Sequence, residues 1–131
     1  MDVHPKIRVL LVDDHPLFRD TMCSRLAAYP NLKVVGQASN GHEALECVRR
    51  LEPSVILMDI HLQRLMDGIA ATRLITSQNP GVAVLGLSCD TRQYVISAMQ
   101  QAGAFEVLAK EQPADEVYGA IQRASASMSD E

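Results

Sequence analysis

The sequence predicts a doubly wound α/β domain built on a parallel sheet. Short apolar runs and amphipathic stretches alternate five times along the 131 residues. Turn-forming residues punctuate the alternation, among them Pro30-Asn31, Glu52-Pro53 and Asn79-Pro80-Gly81. One chemical set of polar residues (Asp13, Asp14, Asp59, Ser88, Lys110) stands just past four of the apolar runs. Repeated strand–helix units give a parallel sheet covered on both faces. The strand order expected for such a domain is 2-1-3-4-5, with strands one and three flanking the switch point.

The first strand, Ile7–Val12, is short, continuous and rich in branched residues, as a fully buried strand should be. A helix over 16–29 follows, with Pro16 in its first turn and Phe18, Met22, Leu26 and Tyr29 at helical spacing. The second strand, 33–38, is more polar and belongs at a sheet edge. Ser39-Asn40-Gly41 turns into a helix over 42–51 with Ala44, Leu45 and Val48 on one face. Strand three is 55–58 and helix three Gly68–Gln78. Strand four is 82–87, and helix four spans 92–102 with Val95, Ile96 and Met99 inward. Gly103 suits the residue after a helix end. Strand five is Glu106–Ala109, and the last helix, 113–126, carries a stripe of Val117, Ala120, Ile121 and Ala124. Residues 127–131 read as a frayed tail. The whole of 1–131 reads as one domain with its core in about 7–125, without linker or low-complexity segment.

Composition narrows the function. Hydrophobic residues are 47% and charged residues 21%, an ordinary globular balance, while aromatics are only 4%, so aliphatic side chains and Met must fill the core. The net charge of −4 argues against direct nucleic-acid binding by this domain. No apolar run approaches the roughly 18 residues of a membrane span, and the N-terminus lacks a signal peptide's apolar region. Cys23, Cys47 and Cys89 are odd in number and scattered, which reads as reduced, mostly buried thiols of a cytosolic protein.

Asp13-Asp14 alone could be a helix cap or a solvated turn, Lys110 a solvated lysine and Ser88 a turn residue. The shared position at strand C-terminal ends is what joins them, because open α/β sheets build their sites there. Three clustered carboxylates repel unless a cation neutralises them. Mg²⁺ fits, since it takes oxygen ligands and binds through one or two carboxylates plus a phosphate.

The joint pattern resembles a response-regulator receiver domain. Val12-Asp13-Asp14-His15-Pro16, Leu57-Met58-Asp59-Ile60, Met66-Asp67-Gly68-Ile69, Gly86-Leu87-Ser88, Gly103-Ala104 and Leu108-Ala109-Lys110 carry the resemblance. His15-Pro16-Leu17-Phe18-Arg19 and Val34-Val35-Gly36-Gln37-Ala38 are similar to receivers that precede a LuxR-type helix-turn-helix. The resemblance implies a single flavodoxin-like (βα)5 domain of a two-component, phosphorelay system. It implies that Asp59 accepts a phosphoryl group from a phosphohistidine on a sensor histidine kinase or phosphotransfer protein. Asp13, Asp14, Asp59 and the backbone carbonyl of His61 would hold Mg²⁺, and Ser88 and Lys110 would bind phosphoryl oxygens. Phosphorylation would switch the surface of helix four, strand five and helix five. The chain would be a cytoplasmic phosphoprotein and no enzyme beyond self-catalysed transfer and hydrolysis at Asp59. Homodimerisation is expected through helix-four/five or helix-one/five surfaces.

Several positions depart from the family pattern. Gln63 stands where a Pro is usual, and His61-Leu62-Gln63-Arg64-Leu65 carries an apparent one-residue insertion. Val107 replaces the switching aromatic, with Phe105 two residues earlier. Glu111 and Cys89 replace a usual Pro and Ala. These departures leave a phosphorylation-independent, receiver-like binding module as the alternative. A nucleotide-binding enzyme is disfavoured, because acids rather than a Gly-rich loop follow the first strand.

Overall fold

The computed structural model describes residues 6–62, 66–90 and 92–129. Its elements run β1 Ile7–Val12, α1 Pro16–Leu26, β2 Leu32–Ala38, α2 Gly41–Leu51, β3 Val55–Asp59, α3 Gly68–Gln78, β4 Ala83–Ser88, α4 Gln93–Gln101, β5 Glu106–Ala109 and α5 Ala114–Ser129. All strand pairs are parallel, in the order β2-β1-β3-β4-β5. The expected doubly wound topology is therefore present. β2 is an edge strand, and its register against β1 shifts between Val9 and Leu10.

Strand alternation divides the core into two layers. Leu10, Val12, Ile56, Met58 and Val84 face α2, α3 and α4. Val9, Leu11, Leu57, Leu85 and Leu87 face α1 and α5, packing with Met22, Leu26 and Ile121. Burial on both sides explains why β1, β3 and β4 read as unbroken apolar runs rather than alternating ones.

Local chemistry fixes the helix ends. Asn40 caps α2 by accepting a hydrogen bond from the Glu43 amide at 2.9 Å, and Glu43 returns to the Ser39 amide and hydroxyl. Asp67 caps α3 through the Ala70 amide. Arg8, projecting from β1, donates to the carbonyls of Leu51 and Glu52 and so holds the C-terminal end of α2. Gly103 follows α4 at φ +114°, with Thr76 where a Cβ would stand.

Two helix ends differ from expectation by three residues, the others by one at most. α1 stops at Leu26, and Tyr29 lies in the following turn, stacked on Tyr118 of α5 with ring centroids 3.8 Å apart. The apolar spacing through Tyr29 thus reports packing on α5 rather than a longer helix. The expected frayed tail is helical as far as Ser129, because Met128 packs against the α1/α5 layer and no breaker precedes it. Residues 130–131 and the core of the apparent insertion, Gln63, Arg64 and Leu65, lie outside the described residues. The three cysteines are free; Cys47 is buried and Cys23 half-buried, but Cys89 is exposed, against the expectation of mostly buried thiols, because it sits in the loop beyond β4. Among the described residues no helix is long and apolar enough to cross a membrane.

Candidate functional site

The C-terminal ends of β1, β3, β4 and β5 converge on one crevice. Asp13 follows β1 directly, and its amide still pairs with the Ala38 carbonyl of β2 at 3.0 Å. Its carboxylate, fully buried, accepts the His15 amide at 2.8 Å, which starts the turn into α1. Its carbonyl accepts from Arg19 at 2.6 Å. Asp59 and Ser88 are the last residues of β3 and β4, one step earlier than a residue past the strand. The Ile60 amide bonds to Leu87, and the Lys110 amide to the Ser88 carbonyl at 2.9 Å. The sheet ladder itself therefore sets the spacing of Asp59, Ser88 and Lys110.

Lys110 crosses the crevice with its side chain only 9% exposed. Its Nζ lies 2.7 Å from Asp13 Oδ2 and 3.5 Å from Asp59 Oδ2, so its tighter partner is Asp13. Phe18 of α1 lies beneath the ammonium, 4.7 Å from ring centroid to Nζ. Burial pushes Lys110 towards the neutral amine, but the hydrogen bond to Asp13 and the charges of Asp59 and Asp13 outweigh it and hold it above its ordinary pKa.

Asp59 is 2% exposed. Its Oδ1 accepts the His61 amide at 3.1 Å, while its Oδ2 accepts no hydrogen bond among the described residues. Burial, then the charge of Asp13, raise its pKa against the opposing pull of Lys110. Gly68 lets α3 begin hard against this strand end: a Cβ there would meet the Asp59 carbonyl oxygen and the Ile60 backbone.

The expected set of Asp13, Asp14, Asp59 and Lys110 is thus brought together. Ser88 is buried beside them, but its hydroxyl is engaged with its own loop. It donates to the Asp90 carbonyl at 2.6 Å and accepts from the Asp90 amide at 2.8 Å. The Asp90 carboxylate in turn grips Arg92 through contacts of 2.6–3.1 Å. That hydrogen bond and charge hold Asp90 down to about 2. The Arg92 guanidinium stands 4.9 Å from the ring centroid of Tyr94, at the start of α4.

His61 is exposed and lines a groove of about 430 Å³ between α3 and α4, shared with Asp67, Asp90, Arg92 and Val95. Val107 packs on the α2/α3/α4 layer, whereas Phe105 precedes β5 and is exposed. The two therefore do not substitute for one another.

Two participants were not legible. His15 turns its ring into the crevice, with Nδ1 3.0 Å from a carboxylate oxygen of Asp13 and 3.0 Å from one of Asp14. One ligand atom each from Asp13, Asp14, His15 and Asp59 lie within 4.8 Å of one another. The adjacency of His15 to two acids was the available signal. Asp90 is the other, and its place two residues after Ser88 was the hint.

Three carboxylates with a buried oxygen that accepts no hydrogen bond form a donor set suited to a hard divalent cation. The same pocket, with a buried ammonium, suits a phosphoryl group.

The family described as Response regulator receiver domain matches residues 9–122. The chain is 39% identical over 121 residues to the transcriptional regulatory protein LiaR of Bacillus subtilis, covering 91% of this chain and 56% of that one. It is 43% identical over 105 residues to a protein-glutamate methylesterase/protein-glutamine glutaminase of Anaeromyxobacter dehalogenans, covering 79% of this chain but 30% of that one. The receiver domain of the putative response regulator NarL from Mycobacterium tuberculosis superposes with a TM-score of 0.87 at 30% identity, covering 92% of this chain and 97% of that one. The chain spans about half the length of the transcriptional regulators it matches. A family match running from β1 into α5, together with the identity to LiaR and the superposition on a solved receiver domain, fixes the family: the chain belongs to the receiver domains of two-component response regulators.

Proposed function

We propose that the chain is a working phosphoacceptor, with Asp59 as the acceptor. The carrying observation is the setting of Asp59: a buried carboxylate at a strand end, beside a buried ammonium and two further acids. An Asp59 oxygen attacks the phosphorus of a phosphohistidine on a histidine kinase or phosphotransfer protein. The P–N bond breaks, a P–O bond forms, and the imidazole leaves. Such a transfer needs positioning and charge neutralisation more than covalent help from neighbours. Lys110, already poised 3.5 Å from Asp59, holds a phosphoryl oxygen, and the Ser88 hydroxyl donates to another. Asp13, Asp14, Asp59 and the His61 carbonyl would hold Mg²⁺, which neutralises charge on the acceptor and the phosphoryl oxygens. In this reading residues 1–131 form one receiver domain, placed in the cytoplasm, whose own chemistry is limited to self-catalysed transfer and hydrolysis at Asp59.

The output follows from Ser88. To reach a phosphoryl group on Asp59, its hydroxyl must leave Asp90, which loosens the loop carrying Arg92 and Tyr94 into α4. The switched surface is therefore that of α4, β5 and α5, reached through the β4–α4 loop because Val107 cannot rotate as an aromatic does. Self-association on that surface, and not direct contact with nucleic acid, is the expected consequence. The second reading, a binding module independent of phosphorylation, is favoured by Val107 and by the altered loop at 61–65.

The test is incubation with a small-molecule phosphodonor and Mg²⁺, followed by intact-mass measurement. One added phosphate is expected on the native chain and none on Asp59→Asn. An unmodified native chain, with a known receiver labelled in parallel, would overturn the proposal.

A further inference from the structure

We infer that His15 is itself a ligand in the cation site, so that the crevice prefers divalent transition ions over Mg²⁺. This deepens the reading of Asp13, Asp14 and Asp59 as cation holders and rests on it.

The geometry is specific. His15 precedes α1, and its ring is not needed there as a cap, because the helix begins at Pro16 without a side-chain cap. Its Nδ1 instead lies 3.0 Å from Asp13 Oδ1 and 3.0 Å from Asp14 Oδ1. Ligands bound at about 2.1 Å on adjacent corners of an octahedron stand about 3.0 Å apart. Both His15 separations match that edge. A carboxylate oxygen of the buried Asp59 lies within 4.8 Å of the same ligand atoms, and its Oδ2 accepts no hydrogen bond among the described residues.

A second observation concerns what surrounds Nδ1. Lys110 Nζ, a donor, stands 3.3 Å from it, and the two carboxylate oxygens, both acceptors, stand at 3.0 Å. As an N–H, Nδ1 confronts the ammonium; as a lone pair, it confronts two carboxylates. Either state of Nδ1 leaves at least one contact between like partners. A divalent cation among the three acceptors relieves the contact of the lone pair with both carboxylates, which then share it, while the ammonium keeps Asp13 Oδ2 at 2.7 Å.

The chemistry sets the preference. Imidazole suits Mn²⁺, Co²⁺ and Zn²⁺, whereas Mg²⁺ binds oxygen and keeps its waters. Loss of a partner even outside the ligand shell costs about 10–100-fold in affinity, so loss of a ligand costs at least about tenfold.

The experiment uses the purified, tag-free chain, stripped of metal and titrated separately with Mn²⁺ and Mg²⁺, with pulsed EPR of the Mn²⁺ form to detect ¹⁴N coupling. The native chain and a His42→Ala control, altered on the exposed face of α2, should both show the coupling and bind Mn²⁺ more tightly than Mg²⁺. His15→Ala and the bulkier His15→Gln should lose the coupling and weaken Mn²⁺ at least about tenfold, with Mg²⁺ affinity unchanged within replicate scatter. Asp13→Asn should weaken both ions. Binding of both ions without ¹⁴N coupling, or an equal loss for both ions in the His15 variants, would overturn the role of His15 while leaving the carboxylate site intact. Failure of either ion to bind the native chain would overturn the carboxylate site, and His15 with it.

Discussion

Asp59→Asn should make the metal-free protein more stable at neutral pH. In the folded chain the Asp59 carboxylate gains from Lys110 at 3.5 Å, about 5 kcal/mol at an effective dielectric of about 20. Against this, ligand oxygens of Asp13 and Asp14 lie within 4.8 Å, which costs at least about 3.5 kcal/mol for buried Asp13 on the same scale and a smaller, solvent-screened amount for partly exposed Asp14. The Coulomb contributions nearly cancel, and burial of the charge is left uncompensated. The amide keeps the side-chain acceptor for the His61 amide, and Lys110 keeps its 2.7 Å partner Asp13. A gain of about 1–3 kcal/mol follows, the usual cost of a poorly satisfied buried group. The sign with pH is fixed by the raised pKa of Asp59. Its carboxylate penalises the folded state above the raised value, and the penalty vanishes below the unfolded value near 3.8, where Asp59 is protonated in both states. Urea denaturation in EDTA should therefore show a midpoint shift of about 1 M at pH 7. The difference between variant and native chain should shrink on acidification. A variant no more stable than the native chain at pH 7, or an advantage that does not fall with pH, would refute the electrostatic account.

Lys110→Ala removes the cation between two buried acids and should cost about 3–5 kcal/mol, read by thermal unfolding, with Asp13→Asn in the same chain recovering part of it. Gly103→Ala places a Cβ at φ +114° against Thr76 and should cost about 1–3 kcal/mol or more by urea denaturation. The Asp90 carboxylate should titrate at about 2 by NMR and move back towards 3.8 in Arg92→Ala.

Most of the architecture was legible because each buried strand is a one-dimensional signal. An unbroken apolar run marks β1, β3 and β4, and the residue at its end marks the crevice. Asp13, Asp14, Asp59 and Lys110 needed only that rule. Side-chain direction was not legible. Whether the Ser88 hydroxyl faces Asp59 or its own loop depends on the turn at Asp90, and the inward turn of His15 depends on two carboxylates and an ammonium from two strand ends. The tail was misread for a related reason. Ser125-Ala126-Ser127 carries little hydrophobic signal, yet Met128 beyond it finds the α1/α5 layer and keeps the helix intact.

The hydroxyl of Ser88 already makes two hydrogen bonds. Recruiting it inward exchanges bonds rather than adding them, and an exchanged hydrogen bond changes stability by only about 0.5–1.5 kcal/mol. Before a phosphoryl group arrives no inward acceptor replaces those two bonds, so the outward arrangement is favoured by about 1–3 kcal/mol and the inward one is the minor state. A phosphate then weights an existing equilibrium, and a protein that binds one arrangement preferentially supplies the same weight without it.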